Sequence, residues 1–255
     1  MKLSLSTWKE VEAYLARSKG VVVPLGSTEQ HGPNGLIGTD AICATAVAEG
    51  LAGRAGALLA PTVQVGVAQF NLGFPGTISA RASTLMALVE DYVRSLARHG
   101  FERIYFMNGH GGNIAPAKAA FQDLYAEYSL GRERGGVRCR IRSWWELPNV
   151  DRMRREWFGD WEGMHATPSE VAITQAVLPG AVGPADKRPP KKLSAQFLRD
   201  HAGDDHYDAA THRADFPDGR VGSDPALATA ERGAQLLAAA IEDAVADYKS
   251  FLEEK

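Results

Sequence analysis

VVVPLGSTEQHGP, at residues 21–33, joins a compact apolar run to a loop of polar side chains. The run at residues 21–25 is ended by Gly26, and this pattern is typical of a buried β-strand. The residues that follow, 40–53, are rich in alanine and have a helical pattern. A strand, a polar loop and a helix in this order predict the first half of a βαβ unit.

Further apolar runs and amphipathic stretches repeat this order along the chain. Strands are predicted at residues 57–60, 103–107 and 137–141, and helices at residues 7–16, 83–99 and 115–128. Strands that alternate with helices indicate an α/β fold with a mostly parallel sheet between helical layers. Ligands bind such sheets beyond the carboxyl ends of the strands. Unusual polar or aromatic residues follow three predicted strands, at residues 26–31, 108–113 and 144–146, so we expect the functional site there.

The composition is typical of a globular enzyme and does not suggest nucleic-acid or membrane binding. The chain has 255 residues, of which 45% are apolar, and its net charge of −3 is spread along the sequence. One large domain, residues 1–255, is expected at this length. An irregular excursion at about residues 180–223 is expected to cover a site or an oligomer interface. After it, Asp224 and Pro225 predict the cap and first position of a helix running toward the C-terminus.

Cysteine content and hydropathy indicate the cellular compartment. The two cysteines are too few for a disulfide framework. The sequence also contains no apolar run that reaches the length of a membrane span. We therefore expect a cytoplasmic protein.

The loop after the first predicted strand carries the first candidate metal ligands. Glu29 and His31 are two residues apart, so in an extended segment their side chains point the same way. Asp40 closes the same loop. Two carboxylates and an imidazole form a reasonable ligand set for Zn²⁺, Mn²⁺ or Fe²⁺. The alternative is a polar loop in which Asp40 is simply the N-cap of the next helix.

The loop NGHGGN, at residues 108–113, follows another predicted strand. Glycines around His110 allow a close backbone approach to a ligand, and the N–H groups at Gly111 and Gly112 could bind a developing oxyanion. The chain contains no G-x-S-x-G motif, which argues against a serine hydrolase. The alternative is a tight turn whose histidine has no function.

The segment at residues 161–170 has two interpretations. Thr167, Pro168 and Glu170 fit the N-cap, N1 and N3 positions of a capping box, which explains Glu170 without any function. Alternatively, Glu170 is a metal ligand. His165 lies just before the predicted helix and is not explained by capping.

Tryptophans near these motifs could form the wall of a pocket for a flat, polar substrate. Trp144 and Trp145 follow the strand predicted at residues 137–141, and Trp161 precedes His165 by four residues. Burial in a hydrophobic core is the alternative role for each of them.

Together these motifs resemble those of the creatininase family, which also includes formamide deformylases and peptide-modifying hydrolases. The pattern Gly-Ser-x-Glu-Gln-His-Gly-Pro followed by Gly-Thr-Asp is matched at residues 26–33 and 38–40. The family's Phe-Pro-Gly-Thr is matched at residues 74–77, and its Asn-Gly-His-Gly-Gly-Asn at residues 108–113. The similarity extends from about residue 5 to about residue 180, and the joint occurrence of the motifs is far more specific than any one of them.

The resemblance implies a three-layer αβα sandwich, a centre of two divalent metal ions and hydrolysis of an amide C–N bond. The metal ligands that it implies are Glu29, His31, Asp40 and His110, with Asp40 bridging the two ions. Glu170 corresponds to the late glutamate of the family's His-Ala-Gly-Glu-x-Glu segment, which favours its role as a ligand. His165 opens that segment and would act as an acid/base or orient the substrate. Family members often form hexamers, so a homo-oligomer is expected.

Two departures from the family pattern bear on the substrate. True creatininases have a glutamate two residues after the histidine of the glycine-rich loop, where this chain has Gly112. This chain also has Thr167-Pro168 in place of Gly-Glu. Both departures argue against creatinine and leave the metal centre intact.

The sequence therefore predicts a metal-dependent amidohydrolase, with zinc favoured over manganese or iron, that acts on a small cyclic amide or formamide. Hydrolysis of creatinine itself, of a cyclic ketone or of a peptide by the same centre is the alternative. A non-enzymatic scaffold stabilised by metal is a third hypothesis. The ligand set argues against that scaffold, because structural zinc sites are usually rich in cysteine.

Overall fold

A parallel β-sheet forms the centre of the protein. The computed structural model describes residues 1–131, 136–202 and 205–254, and within them four strands form one sheet. The strands are β1 (Gly20–Leu25), β2 (Leu58–Leu59), β3 (Arg103–Asn108) and β4 (Arg138–Ser143). Their spatial order is β2-β1-β3-β4, and every neighbouring pair is parallel. The predicted strands are confirmed, although β2 is shorter than expected.

Helices cover both faces of this sheet. In chain order they are α1 (Trp8–Leu15), α2 (Thr39–Ala55), α3 (Ala82–Arg98), α4 (Ile114–Leu130), α5 (Pro148–Phe158), α6 (Pro168–Val177), α7 (Ala195–Asp200), α8 (Ala209–Asp215) and α9 (Ala230–Glu253). Val21 and Val23 of β1 pack with α1, α3 and α4 on one face of the sheet. Val22 points to the opposite face and packs with α2, α5, α6 and α9. This alternation follows from the two-residue period of a strand and confirms the three-layer αβα sandwich.

The C-terminal helix begins later than the sequence pattern predicts. Asp224 caps only a short 3₁₀ turn, Pro225–Leu227. The chain is extended at Ala228, and α9 starts at Ala230 with Thr229 as its N-cap. The predicted start was wrong because a local cap-and-proline pattern fits a single 3₁₀ turn as well as a long helix.

The irregular excursion at residues 180–223 contains two short helices, α7 and α8. Helix α5 is not among the elements that the sequence predicts, because Val150 and Phe158 are its buried residues and most of its surface is polar. Within the described ranges, no helix is both long and apolar enough to cross a lipid bilayer. That residues 1–255 form one domain stays a prediction.

Candidate metal centre

The candidate ligands meet beyond the carboxyl ends of β1 and β3, where the parallel sheet places them. Glu29 and His31 follow β1, His110 follows β3, and Asp40 lies in the first turn of α2. The close approach of Asp40 to the β3 loop requires a glycine, because a Cβ atom at Gly109 would lie 2.2 Å from the backbone oxygen of Asp40.

Asp40 is not the N-cap of α2. Gly38 occupies that position, and the Asp40 side chain faces two histidines instead of the helix N-terminus. The purely structural interpretation of Asp40 as a cap is therefore wrong. The carboxylate is almost fully buried, and such burial needs charged or hydrogen-bonding partners.

The two oxygens of Asp40 belong to two different groups of potential ligand atoms. Oδ1 lies 3.0 Å from Nε2 of His31, and Glu170 Oε2 lies 3.8 Å from the same nitrogen. Oδ2 lies 3.3 Å from Nδ1 of His110, and Glu29 Oε1 lies 2.7 Å from that nitrogen. Within each group the ligand atoms are all within 4.8 Å of one another. This is the arrangement expected of a carboxylate that bridges two cations.

One ring nitrogen of each histidine bonds to a backbone oxygen, and this orients the other ring nitrogen toward these groups. His31 Nδ1 lies 3.0 Å from the Glu29 backbone oxygen, and His110 Nε2 lies 2.8 Å from the Val67 backbone oxygen. A carbonyl oxygen can only accept, so these two nitrogens carry the hydrogens. In a neutral ring the lone pair then lies on His31 Nε2 or His110 Nδ1, which face the carboxylates. Metal-binding histidines typically donate their second nitrogen to a backbone carbonyl in this way.

Glu170 occupies the predicted capping position and also faces the cluster. Its backbone N–H donates to Thr167 Oγ1 at 3.2 Å, and its Oε1 accepts from the Thr167 backbone N–H, which completes the predicted capping box. Its Oε2 points to His31. Capping therefore uses one carboxylate oxygen and leaves the other oriented toward the cluster.

His165 lies at the edge of the cluster. Its Nε2 lies 2.6 Å from the Gln30 backbone oxygen and therefore carries the hydrogen. Its Nδ1 lies 3.9 Å from Glu29 Oε1, and with Glu29 and His31 it forms a third group of potential ligand atoms. Burial, reinforced by the positive charge of His31, lowers the pKa of His165 to about 3. His165 is thus neutral, with a lone pair directed toward the carboxylates.

The cluster holds an excess of negative charge that protons on the histidines partly offset. Burial lowers the pKa of His31, but Asp40 and Glu170 outweigh it and raise the value to about 10. Burial raises the pKa of Glu170 to about 7, despite the opposing charge of His31. A divalent cation would offset the same negative charge.

Two buried carboxylate oxygens test whether the residues fit a metal. Glu29 Oε1 and Asp40 Oδ2 accept no hydrogen bond of normal geometry in the described part of the chain, although His110 Nδ1 lies close to both. Buried polar atoms almost always have a partner. Divalent cations would satisfy both oxygens, and a mixture of imidazole and carboxylate ligands suits Zn²⁺, Mn²⁺ and Fe²⁺.

A cavity of about 220 Å³ opens on the cluster. Asp40, His110, His165 and Glu170 line it together with Gly111, Trp144, Trp145 and Arg154. Trp144 is almost fully buried and packs in the core, and it also lines this cavity. Of the other predicted substrate-binding residues, Trp161 and Gly112 are not among the described residues that line this cavity. The Trp161 ring instead lies 6.0 Å from Lys192 Nζ, in the excursion.

Gly112 lies against backbone and leaves no room for a side chain. A Cβ atom there would lie 2.2 Å from the Val67 backbone oxygen and 2.7 Å from His110 Nε2. It would therefore disturb the hydrogen bond that orients His110. The glutamate that true creatininases have at this position cannot be added here without moving Val67.

Sequence patterns did not identify Asn71, which orients two residues of the site. Its Nδ2 donates to Glu29 Oε2 at 2.8 Å, and its Oδ1 accepts from Gln30 Nε2 at 2.8 Å. Asn71 is completely buried in a 3₁₀ turn, Gln69–Gly73. No local motif marks this position, because the contacts depend on how distant loops pack together.

The excursion covers one side of the centre. The Phe70 ring contacts His165 and also His206 and His212 of the excursion. The backbone oxygen of Gly219 accepts from Gln30 Nε2 at 3.0 Å. The predicted role of this segment as a cover is therefore consistent with its position.

Comparison with known proteins gives the same family along most of the chain. The creatininase family model, described as creatinine amidohydrolase, matches residues 4–247. A creatinine amidohydrolase from Pseudomonas putida is 33% identical over 191 residues, which are 69% of this chain and 71% of that protein. The mycofactocin precursor peptide peptidase of Mycobacterium ulcerans (strain Agy99) is 41% identical over 128 residues, which are 47% of this chain and 50% of that protein.

A solved structure extends the similarity to the whole fold. A glutamate-to-glutamine variant of a creatininase, in a Zn–Zn form, is 25% identical and superposes with a TM-score of 0.78. The match covers 99% of this chain and 98% of that one. The family match over residues 4–247 and this shared fold show that the chain belongs to the creatininase family of hydrolases.

Proposed function

We propose that this protein hydrolyses the C–N bond of a small cyclic amide or formamide at a centre of two divalent metal ions, with zinc the favoured metal. The ligands we propose are Glu29, His31, Asp40, His110 and Glu170. The proposal rests mainly on the Asp40 carboxylate, because its Oδ1 lies close to His31 and its Oδ2 lies close to His110. One ion would lie with Glu29 and His110 and the other with His31 and Glu170, with Asp40 shared by both.

The bound ions would supply Lewis acidity toward an amide carbonyl and make water a stronger nucleophile near neutral pH. The proton transfers would be carried out by a side chain of the protein. His165 is neutral and directs Nδ1 toward Glu29, so it can accept a proton from the attacking water. Its Nε2–H bond to the Gln30 carbonyl fixes the ring orientation. The protonated ring can then deliver the proton to the leaving nitrogen, which is the donor role proposed for this residue.

The size and walls of the cavity support a compact substrate. A volume of about 220 Å³ suits a small molecule, and Trp144 and Trp145 can exclude water from the attacked carbonyl. Creatinine is the substrate named for the P. putida relative. The tight contacts at Gly112 argue against it for this chain, because a carboxylate at that position cannot be supplied.

A peptide is the second candidate substrate. The segment shared with the mycofactocin precursor peptide peptidase is more similar to this chain than the creatinine amidohydrolase segment, at 41% against 33% identity. It spans only half of that protein, however. A cyclic ketone is a further alternative, and a non-enzymatic metal-stabilised scaffold is the least favoured.

Metal analysis followed by an activity screen tests the proposal. Purified protein loaded with Zn²⁺ or Mn²⁺ would be incubated with cyclic amides, simple formamides, creatinine and short peptides. We expect turnover of a cyclic amide or formamide and little or no turnover of creatinine. Turnover of peptides alone would favour the second candidate, and a metal-loaded protein with no activity on any of these classes would contradict the proposal.

We also propose that the protein acts on its substrate as a homo-oligomer, with a hexamer as the expected size, in the cytoplasm. Light scattering coupled to size-exclusion chromatography measures the oligomeric state directly. A monomer at all accessible concentrations would contradict it.

A further inference from the structure

Arg154 is a buried cation in the wall of the cavity that the mechanism does not use. It lies on α5 and lines the cavity together with His110, His165 and Glu170. Its side chain is only 15% exposed. A guanidinium is always charged and costly to bury, so its placement beside a reaction centre needs an explanation.

Neighbouring groups fix one side of the guanidinium. Nε donates to Glu162 Oε1 at 2.7 Å and to Ser169 Oγ at 3.3 Å. Nη1 donates to the Trp145 backbone oxygen at 3.0 Å. These contacts come from three separate segments and hold the planar group in one orientation.

Some N–H donors of the guanidinium take no part in these contacts. Arginine offers five N–H donors, and the contacts above use the one on Nε and one on Nη1. Among the described residues, neither hydrogen of Nη2 has a partner. The unused donors of Nη1 and Nη2 form a planar fork, and such a fork matches the two oxygens of a carboxylate.

We propose that Arg154 binds a carboxylate carried by the substrate, and so selects acidic amides such as N-formyl or N-acyl amino acids over neutral ones. This inference rests on the proposed function and narrows its substrate class. Glu162 offsets the charge of Arg154 and holds it in place when no substrate is bound. The fixed fork then costs little conformational entropy when the carboxylate binds.

The reaction would be ordinary hydrolysis of the amide. Water adds its oxygen to the acyl carbon, the C–N bond breaks, and the nitrogen leaves as an amine after gaining a proton. The carboxylate held by Arg154 takes no part in bond making. Arg154 is therefore a specificity-determining residue whose removal should act mainly on KM for acidic substrates.

Two probes of similar size separate the effect of the carboxylate. N-Formylglycine and N-propylformamide share the formamide group, and only the first has a carboxylate. Kinetics would be measured on metal-loaded wild type, Arg154→Gln and Arg154→Lys. Arg155→Gln is the matched control, because Arg155 follows on the same helix and its side chain is 80% exposed.

We expect wild type to prefer N-formylglycine, and Arg154→Gln to lower kcat/KM for it by about 10- to 100-fold through KM. The same variant should change kcat/KM for N-propylformamide by less than about threefold, and Arg154→Lys should be intermediate. Arg155→Gln should match wild type on both probes. Equal losses on both probes, or no loss on either, would overturn the inference.

Two further measurements decide the inference when kinetics alone do not. Metal content is measured in case Arg154→Gln has lost its metal, and ligand binding is measured in case wild type hydrolyses neither probe. Ser169 and Thr167 connect Arg154 to Glu170, so an Arg154→Gln protein that has lost its metal would show that Arg154 only braces the centre, and would overturn the inference. If wild type hydrolyses neither probe, the proposed function fails for formamides. Calorimetric titration with succinate then decides the inference alone: weaker binding to Arg154→Gln than to Arg155→Gln supports it, and equal binding overturns it.

Discussion

Glu170 Oε2 lies 3.8 Å from His31 Nε2, while Oε1 of the same carboxylate caps helix α6 at Thr167. One side chain therefore starts a helix and faces a cluster of potential metal ligands. The two roles can be separated experimentally, because they depend on different properties of the side chain. Capping requires only a hydrogen-bond acceptor, whereas a carboxylate binds a divalent cation more strongly than a neutral carboxamide does.

Glu170→Gln should weaken metal binding by about tenfold or more and leave the free energy of unfolding of the metal-free protein within about 0.5 kcal/mol of wild type. Competition with a chelating dye measures the first quantity, and urea unfolding measures the second. Glu10→Gln is the matched control, since Glu10 closes the capping box of α1 on the surface. Equal metal affinity in the two variants would return Glu170 to a purely structural role.

His165→Ala should lower kcat by about 100-fold or more while leaving metal content unchanged. The reason is that its Nδ1 lies 3.9 Å from Glu29 Oε1, at the edge of the cluster and outside the two groups that share Asp40. Steady-state kinetics and elemental analysis of the same preparation check both parts. His99→Ala, at an exposed position after α3, is the control. Loss of metal would make His165 a ligand, and an unchanged kcat would remove it from the mechanism.

Gly112→Ala should destabilise the protein by about 1–3 kcal/mol and reduce metal retention, because the added methyl group meets Val67 and the ring of His110. Gly53→Ala is the control: it lies in α2 with open space around it, and should stabilise the helix by up to about 1 kcal/mol. Urea unfolding compares the two. A Gly112→Glu protein that keeps full stability and gains creatinine hydrolysis would contradict this account of the substrate.

The excursion should make stability fall in acid. Burial is the main cause that lowers the pKa of His206 to about 3 and of His212 to about 4, from an ordinary value of 6.5. Both histidines therefore stay neutral when folded and take up protons on unfolding. Their stabilising contribution is present above about pH 6.5 and is lost as the pH falls toward about 4 to 3.

As the pH falls from about 7 to about 5, the free energy of unfolding should decrease by on the order of 1–2 kcal/mol per histidine. Urea unfolding of metal-free protein across this range measures it. His206→Gln and His212→Gln should each flatten the pH dependence, whatever they do to stability at neutral pH, and His99→Gln is the control at an exposed position. An unchanged slope in both of the first two variants would show that these histidines do not cause the acid sensitivity.

Much of the fold was predictable because its signals are local. The apolar run before Gly26 and the amphipathic helices are patterns of residues that are close together in the sequence. Parallel strands then bring their carboxyl ends to the same edge of the sheet. Glu29 and His31 could be proposed as metal ligands for the same reason, because they lie two residues apart in one loop. His110 joined them through the shared edge of the sheet together with the family resemblance.

What could not be predicted depends on contacts between distant segments. Asn71 reaches Glu29 only after two loops pack together, and Arg154 reaches the cavity on a helix whose surface is mostly polar. Trp161, four residues before His165, turns away from the cavity toward the excursion. The delayed start of α9 at Ala230 shows that a cap pattern fixes where a turn begins and not how far the helix continues.

The central proposal is that Asp40 would be shared by two bound metal ions, and metal stoichiometry tests this most directly. Wild-type protein loaded with Zn²⁺ and freed of excess metal should hold close to two ions per chain by elemental analysis. Asp40→Ala should hold fewer than about half an ion, because both groups lose an oxygen at once. Wild-type protein without bound metal after loading, or an Asp40→Ala protein with wild-type content, would contradict the account.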